Sequence, residues 1–289
     1  MTSKFPRVPG ITLRASGSGP LAFTAEAVDA EGVAGTASLT LEDRGHEWRA
    51  TVGLSLAPET DEPMVAAALL RWAEVQSQTM IQRIRAPLLR AGRVARRAER
   101  VLCVDTPPED PATLEALEAA GLKLTVAEDE MTRPTANLPA VRLPSGMEFH
   151  AWDDAAAPLF HRAYFEAFRD RPGFPGWDEA RWRSAFTTDA AFRPDLSVVI
   201  LEGTEPVGFA VLWVEDETGW VMQMGVRPEW RGKGLGEALL AHAIAAFAAE
   251  GLPTVALEVA TNNPAARALY ERMGFVATTS YRSWRKKLS

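Results

Sequence analysis

Residues 226–240 read VRPEWRGKGLGEALL, a basic, glycine-spaced turn between an apolar run (220–226) and a helix-forming run. Strand, proline turn, glycine loop and helix, in that order, leave backbone N–H groups at a helix start with no local partner. The helix dipole favours negative charge at the same place. Gly232, Gly234 and Gly236 remove the Cβ atoms that keep an anion away from the main chain, and Arg231 and Lys233 add positive charge. The segment predicts an α/β chain that holds a phosphorylated small molecule against Gly232, Lys233, Gly234, Leu235 and Gly236.

Three phosphate-binding loops compete for this stretch. A P-loop needs a hydroxyl after its lysine to hold magnesium, and Lys233 is followed by Gly234. A dinucleotide fingerprint needs a third glycine where Glu237 stands, although Glu258 lies near the place of its ribose-binding acid, so that reading is weakened rather than removed. The third pattern, R/Q-x-x-G-x-G/A, is matched by Arg231, Gly234 and Gly236. Downstream, Gly251 and Pro253 stop the helix and residues 254–259 read as a strand. Then comes NNPAARALYERMGF, with Asn263 suited to cap a helix, Pro264 to its first position and Gly274 to its end. An ordinary amphipathic helix with Leu269 and Met273 in the core would also read this way. Together the two motifs resemble the paired signatures of the GNAT acetyltransferase superfamily. The resemblance implies that the loop grips the pyrophosphate of acetyl-CoA, that Asn263 lies beside that molecule, and that Tyr270 reaches the thioester sulfur as the catalytic residue.

The chain has 289 residues, enough for two ordinary domains, and its 47% hydrophobic and 24% charged composition is that of a globular protein. The first residues lack the apolar run of a signal peptide, and no apolar stretch is long enough to span a membrane. Cys103 is the single cysteine, so no intrachain disulfide forms, and a reducing cytoplasm is the expected compartment. The net charge of −7 disfavours nucleic acid and suits a cationic acceptor. His46, His150, His161 and His242 show no metal-ligand spacing, so no metal site is expected.

The chain reads as two similar halves. Residues 134–145, proline-marked, are expected to link a first domain (1–133) to a second (146–289). The second predicts a β-α-α-β-β-β-α-β-α-β-β order, with strands at 147–152, 196–201 and 206–214 and helices at 153–168 and 178–186. The first shows strands at 21–28, 35–41 and 47–56, a helix from Glu62, a strand at 100–104, a helix at 111–120 and a strand at 122–131. Its loop position, APETDEP at 57–63, has three acids and no glycine, and no tyrosine matches Tyr270. The expected architecture is α/β with mixed sheets (α+β): two tandem GNAT-like domains, the first degenerate and structural. Seven arginines between Arg83 and Arg100 read as a solvated helix face.

Acyl transfer to an amine needs a held thioester, a neutral amine, a stabilised oxyanion and a protonated leaving thiolate. The resemblance implies that main-chain groups around Met224 and Val226 pair with the pantetheine arm. A tyrosine, with a pKa near ~10 against a thiol's ~8.5, can hydrogen-bond the leaving sulfur. Related enzymes often carry a glutamate eleven positions before the loop's first residue; Trp220 stands there. Alternation puts Met222 and Met224 on the face of Trp220, an apolar acceptor wall with Phe168 or Trp177. Glu215, Glu258 or a water relay remain as bases. The two-domain plan and the run AFRDRPGF at 167–174 resemble the mycothiol synthase type of tandem GNAT enzyme. The leading expectation is an N-acetyltransferase that moves an acetyl group from acetyl-CoA to a small-molecule primary amine. A catalytically silent acyl-CoA-binding or scaffolding protein is the alternative. Oligomeric state is not readable from the sequence.

Overall fold

The computed structural model describes residues 11–17, 21–43, 47–57, 62–90, 99–106, 109–171 and 174–288, with the backbone alone at residues 17, 43, 62 and 84–90. It divides into two compact units, Met1–Ala127 with Tyr281–Ser289, and Glu128–Ser280.

In the first unit, β1 (Thr12–Gly17), β2 (Ala22–Val28), β3 (Val33–Asp43) and β4 (Glu47–Leu56) form an antiparallel meander. Helix α1 (Glu62–Arg90) then leads to β5 (Glu99–Asp105), which lies parallel to β4. Helix α2 (Pro111–Ala119) follows, and then β6 (Lys123–Pro134). Strand β3 shows why the meander has two unlike faces. Ala37, Leu39 and Leu41 are buried, while Thr36, Ser38 and Thr40 between them are exposed. The buried face packs on α1 through Val65, Ala66, Leu69, Leu70, Trp72 and Ala73, a helical stripe. Asp110 starts α2 by accepting a hydrogen bond from the Thr113 N–H at 2.7 Å, with Pro111 next to it. The other face carries exposed Thr24, Glu26, Thr36, Ser38 and Ser55. Among the described residues no helix precedes β2, whereas the second unit has two helices after its first strand.

The second unit runs β7 (Met147–Ala151), α3 (Ala157–Phe168), α4 (Glu179–Thr187), β8 (Val198–Glu202), β9 (Glu205–Glu215) and β10 (Thr218–Val226). A 3-10 turn (Pro228–Trp230), α5 (Leu235–Ala249), β11 (Thr254–Ala260), α6 (Pro264–Arg272) and the start of β12 (Val276–Lys287) complete it. The strands lie in the order β6-β11-β10-β9-β8-β7, and only β10 and β11 are parallel. Both faces are covered. One packs on α5 and α6 through Leu239, Ile244, Phe247, Val255, Leu257 and Tyr270. The other packs on α3 and α4 through Phe160, Tyr164, Trp182, Val199 and Phe209.

Several boundaries differ from the expectation. Strand β1 is additional; Ile11 and Leu13 alternate onto the core of the first unit in a stretch too short to stand out. Helix α3 starts four residues later than expected, because the Asp153 carboxylate accepts from the Ala156 N–H at 2.6 Å and holds a turn there. A single strand, β12, stands where two were expected. Residues 134–145 belong to the second unit rather than forming a separate linker. Arg133 binds them, donating to the carbonyls of Ala136 at 2.9 Å and Asn137 at 3.2 Å and also to that of Met273. The chain end belongs to the first unit, where Arg285 pairs with Cys103 across β12 and β5. There Lys286 Nζ meets the Glu74 carboxylate at 2.6 Å and the Ala120 carbonyl at 2.8 Å.

Cys103 is buried with a free thiol. Residues 58–61 of the acidic loop position, His46, Arg93, Arg96 and Arg97 lie outside the described residues. Among the described residues no helix is long and apolar enough to cross a membrane, and no group of three His, Cys, Asp or Glu side chains is placed to hold a metal ion.

Candidate functional site

The glycine loop joins β10 to α5. Pro228 opens the 3-10 turn, and the Arg231 N–H donates to its carbonyl at 3.2 Å. Gly232 and Gly234 then adopt φ of 75° and 83°, and a Cβ at either would meet nothing within 4 Å. Their value is conformational, since any other residue is strained in this left-handed region by about 1–2 kcal/mol. Gly234 is also the N-cap of α5 and supplies no side-chain cap. The first-turn N–H groups of Leu235, Gly236 and Glu237 therefore have no partner within the helix. Lys233 is exposed beside them, its Nζ 4.0 Å from the centre of the Trp230 ring. This is an anion cradle whose donors belong to the backbone.

Two loop residues act differently from the expectation. A Cβ on Gly236 would lie 2.9 Å from Leu269 Cδ2, so this glycine lets α6 approach α5 rather than clearing room for a phosphate. Arg231 is engaged by protein carbonyls: Nε donates to Val226 at 3.1 Å and Nη2 to Ala167 at 2.9 Å. Its guanidinium pins the loop to the end of β10 and the last turn of α3.

Strand β10 has one open edge. It pairs with β9 along its length, but with β11 only at Thr218, Gly219 and Trp220. From Val221 onward the two parallel neighbours separate, and the β11-side main chain of β10, including Met224 and Val226, has no ladder partner among the described residues. A register shift between Val221 and Gln223 makes a bulge at Met222, whose side chain is exposed. A bulge reverses the alternation of faces. Before it, Gly219 and Val221 face α5 and Trp220 lies opposite Trp213 on the α3 and α4 side. After it, Met224 and Val226 face α5, while Gln223 and Gly225 take the α3 and α4 side. Trp220 and Met224 thus lie on opposite faces, not on one wall as simple alternation had it. Gln223 adds a polar atom that alternation hid; its Oε1 accepts from Trp182 Nε1 at 2.8 Å.

Tyr270 sits on α6 within the apolar cluster of Leu235, Leu239 and Val259, which Met224 and Val226 flank. Burial pushes its hydroxyl up to about 12, so the phenol stays a proton donor throughout the physiological range. Asn263 caps α6: its Oδ1 accepts from the Ala266 N–H at 3.2 Å. His242 is a packing residue, against Phe149 at 4.8 Å and with Nε2 at 3.1 Å from the Leu196 carbonyl.

The two candidate acids separate clearly. Glu215 is exposed and pairs with Thr218, at the end of β10 remote from the loop. Glu258 lies on β11, opposite Glu130 of β6, with Glu128 opposite Ala260. Val255, Leu257 and Val259 point to α5 and α6, so Ala256 and Glu258 take the face that Trp220 shares. Glu258 is an exposed residue of β11, yet partial burial of its carboxyl first, then Glu128 and Glu130, hold that carboxyl above the ordinary range. Sequence reasoning missed Glu128 and Glu130, because they fall in a strand assigned to the first domain. Only the strand register unites them with Glu258. The α3 and α4 side is aromatic, with Phe168, Phe174, Trp177, Phe186 and Trp213 partly buried around the core.

This arrangement defines a class: a mixed sheet with helices on both faces, an anion loop at a helix start and an opened strand edge leading from it. Residues 154–275, which lie within the second unit, match the model of the Acetyltransferase (GNAT) family. Its relatives include the mycothiol acetyltransferase of Streptomyces coelicolor, 32% identical over 167 residues, covering 55% of this chain and 53% of that protein. The [Ribosomal protein bS18]-alanine N-acetyltransferase of Escherichia coli is 34% identical over 89 residues, covering 31% of this chain and 60% of that one. The chain spans about half the length of the mycothiol acetyltransferase it matches. Among solved structures, a GCN5-related N-acetyltransferase from Sphaerobacter thermophilus shares the fold, with a TM-score of 0.65 at 22% identity over 93% of this chain and 81% of that one. So does a tandem GNAT protein from the clavulanic acid biosynthesis pathway, with a TM-score of 0.51 at 16% identity over 97% of this chain and 84% of that one.

Proposed function

We propose that the second unit transfers an acetyl group from acetyl-CoA to the nitrogen of a primary amine on a small molecule. The observation that carries this reading is the open β11-side edge of β10, which starts after Trp220 and ends at the uncapped start of α5. Acetyl-CoA supplies a thioester on a long amide-bearing arm that ends in a pyrophosphate. The first-turn N–H groups of α5, with Gly232, Lys233 and Gly234, fit the pyrophosphate. The unpaired main chain at Met224 and Val226 fits the amides of the arm, and Asn263 retains its amide nitrogen to reach the same molecule. An N–H of the bulged strand can donate to the carbonyl oxygen as charge develops there.

Glu258 is the base that this geometry favours over Glu215. It lies on the face of Trp220, beside the point where β10 and β11 part. Its raised carboxyl range suits accepting a proton from an ammonium acceptor, directly or through water. The freed amine attacks the carbonyl carbon; as the carbon–sulfur bond breaks, the Tyr270 hydroxyl donates its proton to the departing sulfur, and the surplus proton on the new amide nitrogen returns to the phenolate through water. Glu128 and Glu130 attract the cationic amine, and the aromatic lining around Phe168 and Trp177 suits an apolar body attached to it. Incubating the protein with acetyl-CoA and a panel of primary amines, and reading N-acetylated products by mass spectrometry, tests the reading. Acetylation of at least one apolar amine supports it. Stable acetyl-CoA binding with no product from any amine would leave the silent binder.

A further inference from the structure

The one arginine of the glycine loop is held by protein carbonyls. Arg231 donates to two backbone carbonyls of different elements, Val226 at the end of β10 and Ala167 in the last turn of α3. Carbonyls in a helix's last turn lack helical partners and sit at the negative end of its dipole, so a guanidinium there is doubly favoured. The contact is close-fitted by a second feature. A Cβ on Gly225 would come within 2.9 Å of Ala167 Cβ and 3.0 Å of Phe168 Cε2, so the end of α3 rests directly on the open strand. A third feature is electrostatic: Arg169 helps hold the Glu229 carboxyl below its ordinary range, after a backbone hydrogen bond and Arg227. Glu229 itself belongs to the turn that leads into the loop. Beyond Ala167 the chain continues through Phe168 and Arg169 to Phe174 and Trp177, part of the aromatic lining of the α3 and α4 face.

We infer that Arg231 is a positioning residue that couples the anion loop to the α3 end, so that seating a pyrophosphate in the loop orders the aromatic wall that receives the acceptor. Lysine cannot replace it, because a single ammonium on a flexible stem does not bridge two carbonyls as the planar fork does. The second half of this inference rests on the proposed acetyl-CoA reading; the first half does not.

The test is amide hydrogen exchange on the full chain, as wild type, Arg231→Gln and Arg231→Lys, with and without coenzyme A. Two amides report: Arg169 N–H, bonded to the Phe165 carbonyl at 2.9 Å, and Arg171 N–H, bonded to the Phe168 carbonyl at 2.8 Å. Without ligand, both variants should exchange these amides at least about fivefold faster, with β8 and β9 unchanged. Coenzyme A should slow them at least about fivefold in wild type, the lower end of ordinary coupling between sites, and leave them unslowed in both variants. Calorimetry should show coenzyme A affinity in both variants within about tenfold of wild type, a loss of no more than one unit of log affinity. Unchanged exchange at Arg169 and Arg171 in both unliganded variants would overturn the latch. So would affinity lost with Arg231→Gln and restored with Arg231→Lys, which marks a phosphate ligand. Wild type that binds coenzyme A without slowing these amides would overturn the coupling. Wild type that fails to bind coenzyme A would instead sink the proposed function, and the unliganded comparison would still decide the latch.

Discussion

Tyr270 combines two properties that sequence could only pair by resemblance. It is part of the α6 core stripe, and it is a phenol whose proton is held by burial. A buried acid of this kind can donate to a leaving thiolate without losing its proton to solvent. Tyr270→Phe is expected to lower kcat by about 10²-fold or more while leaving the acetyl-CoA dissociation constant near wild type. Stopped assays of turnover beside calorimetry check this, and unchanged turnover would return Tyr270 to packing. Glu258 yields a pH prediction. Its carboxyl is raised, so the active, ionised form is populated only as pH climbs through that raised value, and the acid limb of kcat/KM lies above that of a free glutamate. Replacing both neighbours, Glu128→Gln with Glu130→Gln, removes two repelling charges and should shift that limb to lower pH. The same shift has a stability consequence. A carboxyl raised by folding favours the folded state below its unfolded pKa, and that contribution is lost as pH rises through the folded value. Glu258→Gln should therefore raise Tm at neutral pH and lose that advantage in acid.

At α5 and β10, local chemistry fixed what could be read ahead and tertiary register fixed what could not. The α5 start was legible because glycines at left-handed φ and a missing side-chain cap are properties of a few adjacent residues. The α6 ends were legible for the same reason, through Asn263, Pro264 and Gly274. The bulge at Met222 was not. It has no glycine or proline signature, and it turns Met224 away from Trp220 by inserting one residue against β9. The partners of Arg231 lay 64 residues away for Ala167, so no local pattern could show them. The loop glycines divide between two tasks, left-handed backbone at Gly232 and Gly234 and close helix approach at Gly236, and substitution distinguishes them. Gly234→Asp puts strain at φ 83° and a negative charge in the cradle, and should abolish acetyl-CoA binding in calorimetry. Gly236→Ala meets only the flexible tip of Leu269, and should cost about 1–2 kcal/mol in denaturant unfolding while retaining binding.

The two units are unequal in what they carry. The first has its helices α1 and α2 on one side and exposed Ser and Thr side chains on the other, whereas the second has helices on both faces. The repeat was visible because helix, glycine stop and apolar strand recur in order. The path of the chain end was not, since residues 281–288 read simply as a strand and their assignment to the first unit depends on pairing with β5. With the glycine loop present once in the sequence, calorimetric titration is expected to give one acetyl-CoA per chain. Two equivalent sites would show that the first unit binds as well. Amine-dependent release of the coenzyme A thiol, followed for wild type and Gly234→Asp across the amine panel, decides whether this chain is an acetyltransferase. The account predicts release that needs both acetyl-CoA and amine in wild type and is absent in Gly234→Asp. Acetyl-CoA bound one to one by wild type, with thiol release no faster than without protein for every amine, would contradict it.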